Sequence, residues 1–556
     1  LANPIRLSIA GLLVLTIAAD APVGAAKADR VTLRHVTLEL PGPPSAVVPA
    51  DLDGDGRLDL AIAVAYTEIE EIGFDRIEGM VQITTVVPAL FDRREVHAFL
   101  RRDDGTFARS GRHLELPFSV LSMEAGPPGH PVIALTDEGL AELRFDPGAD
   151  GPDLQLVPLL RDPPVMAGTG TFFSSLDVVH DVDGDGRDDV LVPTHSGPAV
   201  YLTGEDGLTD TPVDRAALPG ESHGSRRAEV WRFIPYPEVR DVDGDGIPDL
   251  LVRRSGSRTT GVHLMIGQGG GRFAPLRDAP ADCWDDGTQL RVARPVEDGP
   301  PWLDDVTAVR DLDGDGRAEI VTATERDRGD GLRKEMKDAK RPIYHYRFHR
   351  LDESMSILPD PYFDMEAEGH AFEIDDEELG IFSVQQFDDL DGDGREDLVT
   401  VTLKFSMWQA VRILTTKRIS IGLDFHVWAQ QEDGRFVEVE GLDLSEKFKL
   451  DLNNLTLGRF AQFAGDFDGD GRKDFVHLGR GKEITIHRGQ PGCRYPKEPD
   501  LVIPLAAEPE SLELVQIRDL DGDGRADIMI TRPLPETRPD ETPPVQLDLY
   551  LSGGAS

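Results

Sequence analysis

The stretch Asp51-Leu52-Asp53-Gly54-Asp55-Gly56-Arg57-Leu58-Asp59 decides the fold. It is one of seven copies of a nine-residue phrase, D-x-D-G-D-G-x-x-D/E, beginning at Asp51, Asp181, Asp241, Asp311, Asp389, Asp466 and Asp519. Carboxylates at its first, third, fifth and ninth positions can converge on one hard cation, and calcium takes about six to eight oxygens from flexible loops of this kind. The sixth-position glycine permits the turn that folds the loop back on the ion, and the fourth removes side-chain bulk. The seventh-position carbonyl is expected to add an oxygen, and the ninth acid to bind with both of its own.

The expected ligands in the first loop are Asp51, Asp53, Asp55, the carbonyl of Arg57, and Asp59. In the second and third they are Asp181, Asp183, Asp185, Arg187 and Asp189, then Asp241, Asp243, Asp245, Ile247 and Asp249. The fourth offers Asp311, Asp313, Asp315, Arg317 and Glu319, and the fifth Asp389, Asp391, Asp393, Arg395 and Asp397. The last two offer Asp466, Asp468, Asp470, Arg472 and Asp474, and Asp519, Asp521, Asp523, Arg525 and Asp527. An all-protein cage of carboxylates favours Ca2+ over Mg2+, which keeps its waters. Up to seven Ca2+ ions are expected.

The first six residues of the phrase also fit an EF-hand loop, which needs Glu at its twelfth position and a helix on each side. The twelfth residues here are Ile62, Val192, Val252, Thr322, Thr400, His477 and Ile530, none of them acidic. The ninth residue leads instead into an apolar run rich in β-branched residues, such as Val190-Leu191-Val192 or Ile528-Met529-Ile530, which reads as a buried strand.

An acidic Gly-rich loop running into a strand, and recurring at blade-like spacing, resembles the FG-GAP/VCBS-type repeats of integrin α-subunit propellers and secreted bacterial proteins. The literal Phe-Gly and Gly-Ala-Pro flanks are absent, so the bacterial branch is the nearer likeness. The resemblance implies calcium sites within propeller blades, with partners met by inter-blade loops.

Successive phrases start 130, 60, 70, 78, 77 and 53 residues apart. The first interval is about twice the others and should hide a unit without a metal loop. Residues 118–146 supply one: an apolar run from Phe118 to Met123, a Gly126-Pro127-Pro128-Gly129 turn, then Val132-Ile133-Ala134-Leu135. Each unit continues into a hairpin turning at a Gly-containing loop, such as Asp103-Asp104-Gly105-Thr106, Glu205-Asp206-Gly207 or Glu432-Asp433-Gly434. The fold class expected is all-β: a single β-propeller over residues 29–556 with eight four-stranded blades, the metal-free repeat at about 118–160. Seven blades result if that repeat is an insert. The chain ends one strand short after Val545–Leu551, while Val31–Leu40 is spare before the first loop. That N-terminal strand is expected to complete the last blade and close the ring.

The net charge is −44, and about 30 of the 102 acids lie in the seven phrases. So acidic a chain does not suit nucleic acid or an anionic membrane as partner. Residues 1–28 read as an export signal: Arg6, a mostly apolar Leu7–Ala19, and small residues around Ala26-Lys27-Ala28. No later segment is apolar enough to span a membrane. A periplasmic, cell-surface or secreted monomer is expected. Cys283 and Cys493 are the only cysteines; they could bridge or remain free.

The catalytic signals are weak. Gly220-Glu221-Ser222-His223-Gly224 spells a nucleophile elbow but lacks the strand and helix that an elbow needs. His345 and His349 share a strand face without an evident third metal ligand. Arg328-Gly329-Asp330 spells an adhesion tripeptide, and Asp375-Asp376-Glu377-Glu378 reads as a solvated acidic turn. Residues 405–417 could form an amphipathic helix, and residues 66–95, 326–342 and 532–544 read as inserts. The reading is therefore of a non-enzymatic calcium-binding scaffold with a protein or glycan ligand, and no catalytic residue assigned. The alternatives are a calcium-dependent polysaccharide lyase, by the same resemblance, and a lectin-like glycan binder.

Overall fold

The computed structural model describes residues 31–66, 93–117, 120–148, 152–164, 178–194, 197–216, 221–224, 230–233, 237–256, 259–274, 284–285, 289–294, 302–326, 342–352, 357–358, 360–369, 387–404, 418–441, 444–451, 462–478, 482–505, 515–533 and 545–553. Among them there is no α-helix. The export signal, the adhesion tripeptide, the acidic run at Asp375, Cys283, the amphipathic segment and most of the three inserts lie outside the described residues.

The apolar run after each loop forms a strand buried on both faces: Leu60, Ala61, Ile62 and Ala63 are all fully buried, as are Val190, Leu191 and Val192. A strand can be apolar on both sides only if its sheet is covered on both sides. The architecture provides that cover, because each sheet packs between two others.

Eight antiparallel units succeed one another. The first pairs Pro44–Ala50, Asp59–Tyr66, Arg93–Arg101 and Phe107–Arg109 in that order. The second, from the segment without a metal phrase, pairs Val120–Ala125, Val132–Thr136, Gly139–Phe145 and Leu154–Arg161. The doubled first interval thus holds a blade, as its length predicts. The same order recurs through the third to sixth units. The fourth and fifth run into one another through Gln289–Arg294 and Trp302–Arg310. In the seventh, the strand before the loop shrinks to a single bridge, Gly465 with Asp474.

The eighth unit takes Val515–Arg518, Asp527–Pro533 and Val545–Ser552 from the end of the chain and Leu33–Leu40 from its beginning. The last two pair antiparallel from Leu33 with Ser552 to Leu40 with Val545. The spare N-terminal strand therefore stands where the sequence places it. Alternation puts Val36, Leu38 and Leu40 on its buried face.

The apolar clusters lie between sheets. Ile133, Leu135 and Leu140 of the second unit pack with Val190, Val192 and Tyr201 of the third. Leu38, Leu547 and Met529 of the eighth pack with Leu60, Ile62 and Phe99 of the first. The last and first blades are therefore neighbours.

Candidate metal centres

Each phrase folds alike because its carboxylates tie down its own backbone. The first-position acid accepts the fourth-position N–H on Oδ1 at 2.7–2.8 Å and the sixth-position N–H on Oδ2 at 2.8–2.9 Å in all seven loops. The fifth-position acid accepts the N–H two residues on, as Asp55 does from Arg57 at 2.9 Å. Its other oxygen faces the seventh-position guanidinium in the Asp55–Arg57, Asp185–Arg187, Asp393–Arg395 and Asp470–Arg472 pairs. Both glycines have positive φ throughout, for example +76° at Gly244 and +82° at Gly246.

The ninth acid stitches the loop to the blade. One oxygen accepts the second-position N–H at 2.8–3.1 Å in every loop. In six loops the other accepts an N–H at or just beyond the end of the sheet's third strand, such as Arg101 to Asp59 at 2.7 Å and Ser552 to Asp527 at 2.7 Å. The Oδ2 oxygen of each first-position acid, which accepts the sixth-position N–H, has a second lone pair to offer an ion. Oxygens of the first, third and ninth acids lie within 4.8 Å of one another in the Asp51, Asp53, Asp59 set, the Asp181, Asp183, Asp189 set and the Asp241, Asp243, Asp249 set.

Burial works against charge at the ninth position. It pushes Asp189 and Asp249 up to about 6, and Glu319, Asp397, Asp474 and Asp527 up to about 7. Without a cation, the folded protein binds these protons more tightly than the unfolded chain does. Their contribution to stability is therefore lost as pH rises through 6 to 7. The calcium-free protein should melt higher at about pH 5.5 than at about pH 8; equal melting temperatures in a chelator-buffered pH series would contradict this.

The third-position acids of the last three loops carry the most telling geometry. One oxygen of each is held from a distant segment: Asp391 by the Gly492 N–H at 2.6 Å, Asp468 by Arg488 at 3.2 Å, Asp521 by Arg101 at 2.6 Å. The other oxygen of each is buried and has no hydrogen-bond partner. Next to Asp391, the buried Cys493 thiol donates to Asp397 at 3.0 Å, so Cys493 is a free thiol seated on the fifth acidic loop.

Neighbouring loops touch. A Cβ on Gly184, Gly244, Gly314 or Gly392 would lie 2.5–2.7 Å from the carbonyl oxygen of the sixth-position glycine of the next loop. Backbone bonds join the same neighbours: Ala318 N–H to Val242 O at 2.9 Å, Glu396 N–H to Leu312 O at 2.9 Å and Lys473 N–H to Leu390 O at 2.9 Å.

The weak catalytic signals do not assemble. Glu221–Gly224 is a strand paired with Val230–Phe233, not an elbow leading into a helix. His345 bonds Asp364 at 2.8 Å while His349 bonds the Leu358 carbonyl at 3.0 Å, so the two histidines hold separate partners.

Residues 241–322 match the family model described as the FG-GAP-like repeat. The match runs from one acidic loop, through the fourth blade, to the strand after the next loop, which is the period the eight sheets repeat. The chain is a β-propeller that carries an FG-GAP-like repeat. No curated protein sequence matches it. Among solved structures, the propeller is similar to a structural-genomics target from Lactobacillus plantarum at 12% identity and a TM-score of 0.28, over 71% of this chain and 84% of that one. It is also similar to a Bacteroides uniformis protein provisionally named a 6-phosphogluconolactonase, at 12% identity and a TM-score of 0.30, over 75% of this chain and 93% of that one.

That name corrects one expectation. The absence of enzymatic activity, read from the lack of catalytic motifs, does not stand once a matched propeller carries an enzyme's name. At this identity and score the likeness assigns no reaction to this propeller.

Proposed function

We propose that the seven loops each hold a Ca2+ ion and that these ions rigidify one end of the blades, so that the propeller presents its connecting loops to a protein or glycan ligand. The observation that carries the reading is the set of buried, unpartnered oxygens on Asp391, Asp468 and Asp521, each beside a buried ninth-position acid. A buried carboxylate oxygen without a partner costs about 1–3 kcal/mol or more, and a hard cation removes that cost. The donor set is all oxygen apart from Cys493, which suits calcium and gives soft metals little purchase. The ion would add charge neutralisation and a fixed loop geometry. The chain's own residues would present ligands, exclude side chains at the fourth position and carry the order into the next blade.

We further propose an exported location, supported by the apolar Leu7–Ala19 stretch and by the fit of such loops to calcium-rich compartments. Calcium titration calorimetry of native protein and Asp468→Asn tests the core of this reading. Native protein should bind several ions, and the variant one fewer, with a lower melting temperature. Identical isotherms would overturn it.

A further inference from the structure

The first blade carries a cluster that belongs to no calcium loop. Glu95 and His97 alternate onto one face of the strand Arg93–Arg101. His113 stands just before Leu114–Glu115, a short strand that pairs Glu95 with Glu115 and Val96 with Leu114. This register sets the three side chains side by side. His97 Nε2 lies 3.0 Å from Glu95 Oε2, and His113 Nε2 lies 3.6 Å from Glu95 Oε1. The two imidazole centroids are 5.2 Å apart. One ligand atom from each residue falls within 4.8 Å of the others.

Ligands at about 2.0–2.1 Å from a tetrahedral ion sit roughly 3.3 Å from one another. The two distances from Glu95 bracket that value. Two imidazoles and a carboxylate are the donors that zinc and its first-row neighbours take, whereas calcium takes oxygen alone. Glu95 and His97 are buried, while the His113 side chain is 37% exposed, so entry and a fourth position are on the His113 side.

We infer that Glu95, His97 and His113 form a binding site for a borderline divalent metal such as Zn2+, with a water at the fourth position. Arg109 bears directly on it, because its guanidinium donates to His97 Nδ1. With Nδ1 accepting, the ring proton is on Nε2 and is given to Glu95. Metal binding moves that proton to Nδ1 and turns Arg109, an exposed side chain, out to solvent. Arg109 therefore opposes loading.

The test is Co2+ titration of the full chain in excess calcium, followed by the intense visible absorption of four-coordinate Co2+. A single saturable equivalent is expected, displaced by Zn2+. It should vanish in Glu95→Gln and in His113→Gln, whose folding is checked by its melting curve, and it should tighten about tenfold in Arg109→Ala. Absence of the absorption in native protein overturns the inference. So does absorption that survives His113→Gln but is lost in Cys493→Ser, which would place the metal on the thiol at Asp397. Calcium binding by the loops is independent of either result.

Discussion

Removing residues 31–40 should leave a chain that no longer melts as one cooperative unit and that aggregates when concentrated. The strand Leu33–Leu40 makes eight register pairs with Val545–Ser552. Val36, Leu38 and Leu40 are buried between the last and first blades, and Val31 is buried against the sixth to eighth. Burying each such side chain contributes about 1.5–3 kcal/mol, so losing four costs roughly 6–12 kcal/mol, which approaches the whole stability of a typical domain. Polar contacts go as well. Arg34 donates to the carbonyls of Asp104 at 2.7 Å and Gly105 at 2.6 Å, clamping the first blade's hairpin to the last blade's strand. His35 stacks on Tyr550 and bonds Asp548 at 3.0 Å. The deletion also bares an apolar strand edge, which recruits other chains. A truncated protein with the native melting temperature and a monomeric profile would contradict this account.

Chelating calcium should lower the melting temperature by about 10 °C or more, reversibly. An ion that binds only the folded state stabilises it by about 2.7 kcal/mol when its concentration is 100 times its dissociation constant. Contributions from several loops add to the same folded state. The loops also support one another, since fourth-position glycines abut the next loop's sixth-position carbonyl and Val242, Leu312 and Leu390 accept from the following loop. Loss of ions should therefore loosen neighbours together, giving one downshifted transition. A melting curve that EDTA leaves unmoved would mean that the ions are not structural.

Much of this architecture can be read from residues close together in the chain. The loops are legible because their first- and fifth-position acids bond backbone within a few residues of themselves. The metal-free blade is legible from spacing, and the exchanged strand from an excess at one end matched by a shortfall at the other. The contacts that complete the sites are not local. Arg101 reaches Asp521 across 420 positions and Cys493 reaches Asp397 across 96, and neither pairing has a sequence signal. The cluster at Glu95 is half visible, as a Glu-x-His alternation. His113 joins it only through the register of Leu114 opposite Val96. Catalytic groups on a propeller would converge in the same way from distant strands, so the lack of a local motif could not exclude an enzyme.

The most direct measurement is the calcium content of the purified chain after equilibration in millimolar calcium and removal of free ion. The account predicts close to seven ions per chain, falling by one in Asp468→Asn. A chain that retains none, or a count that the substitution leaves unchanged, would contradict it.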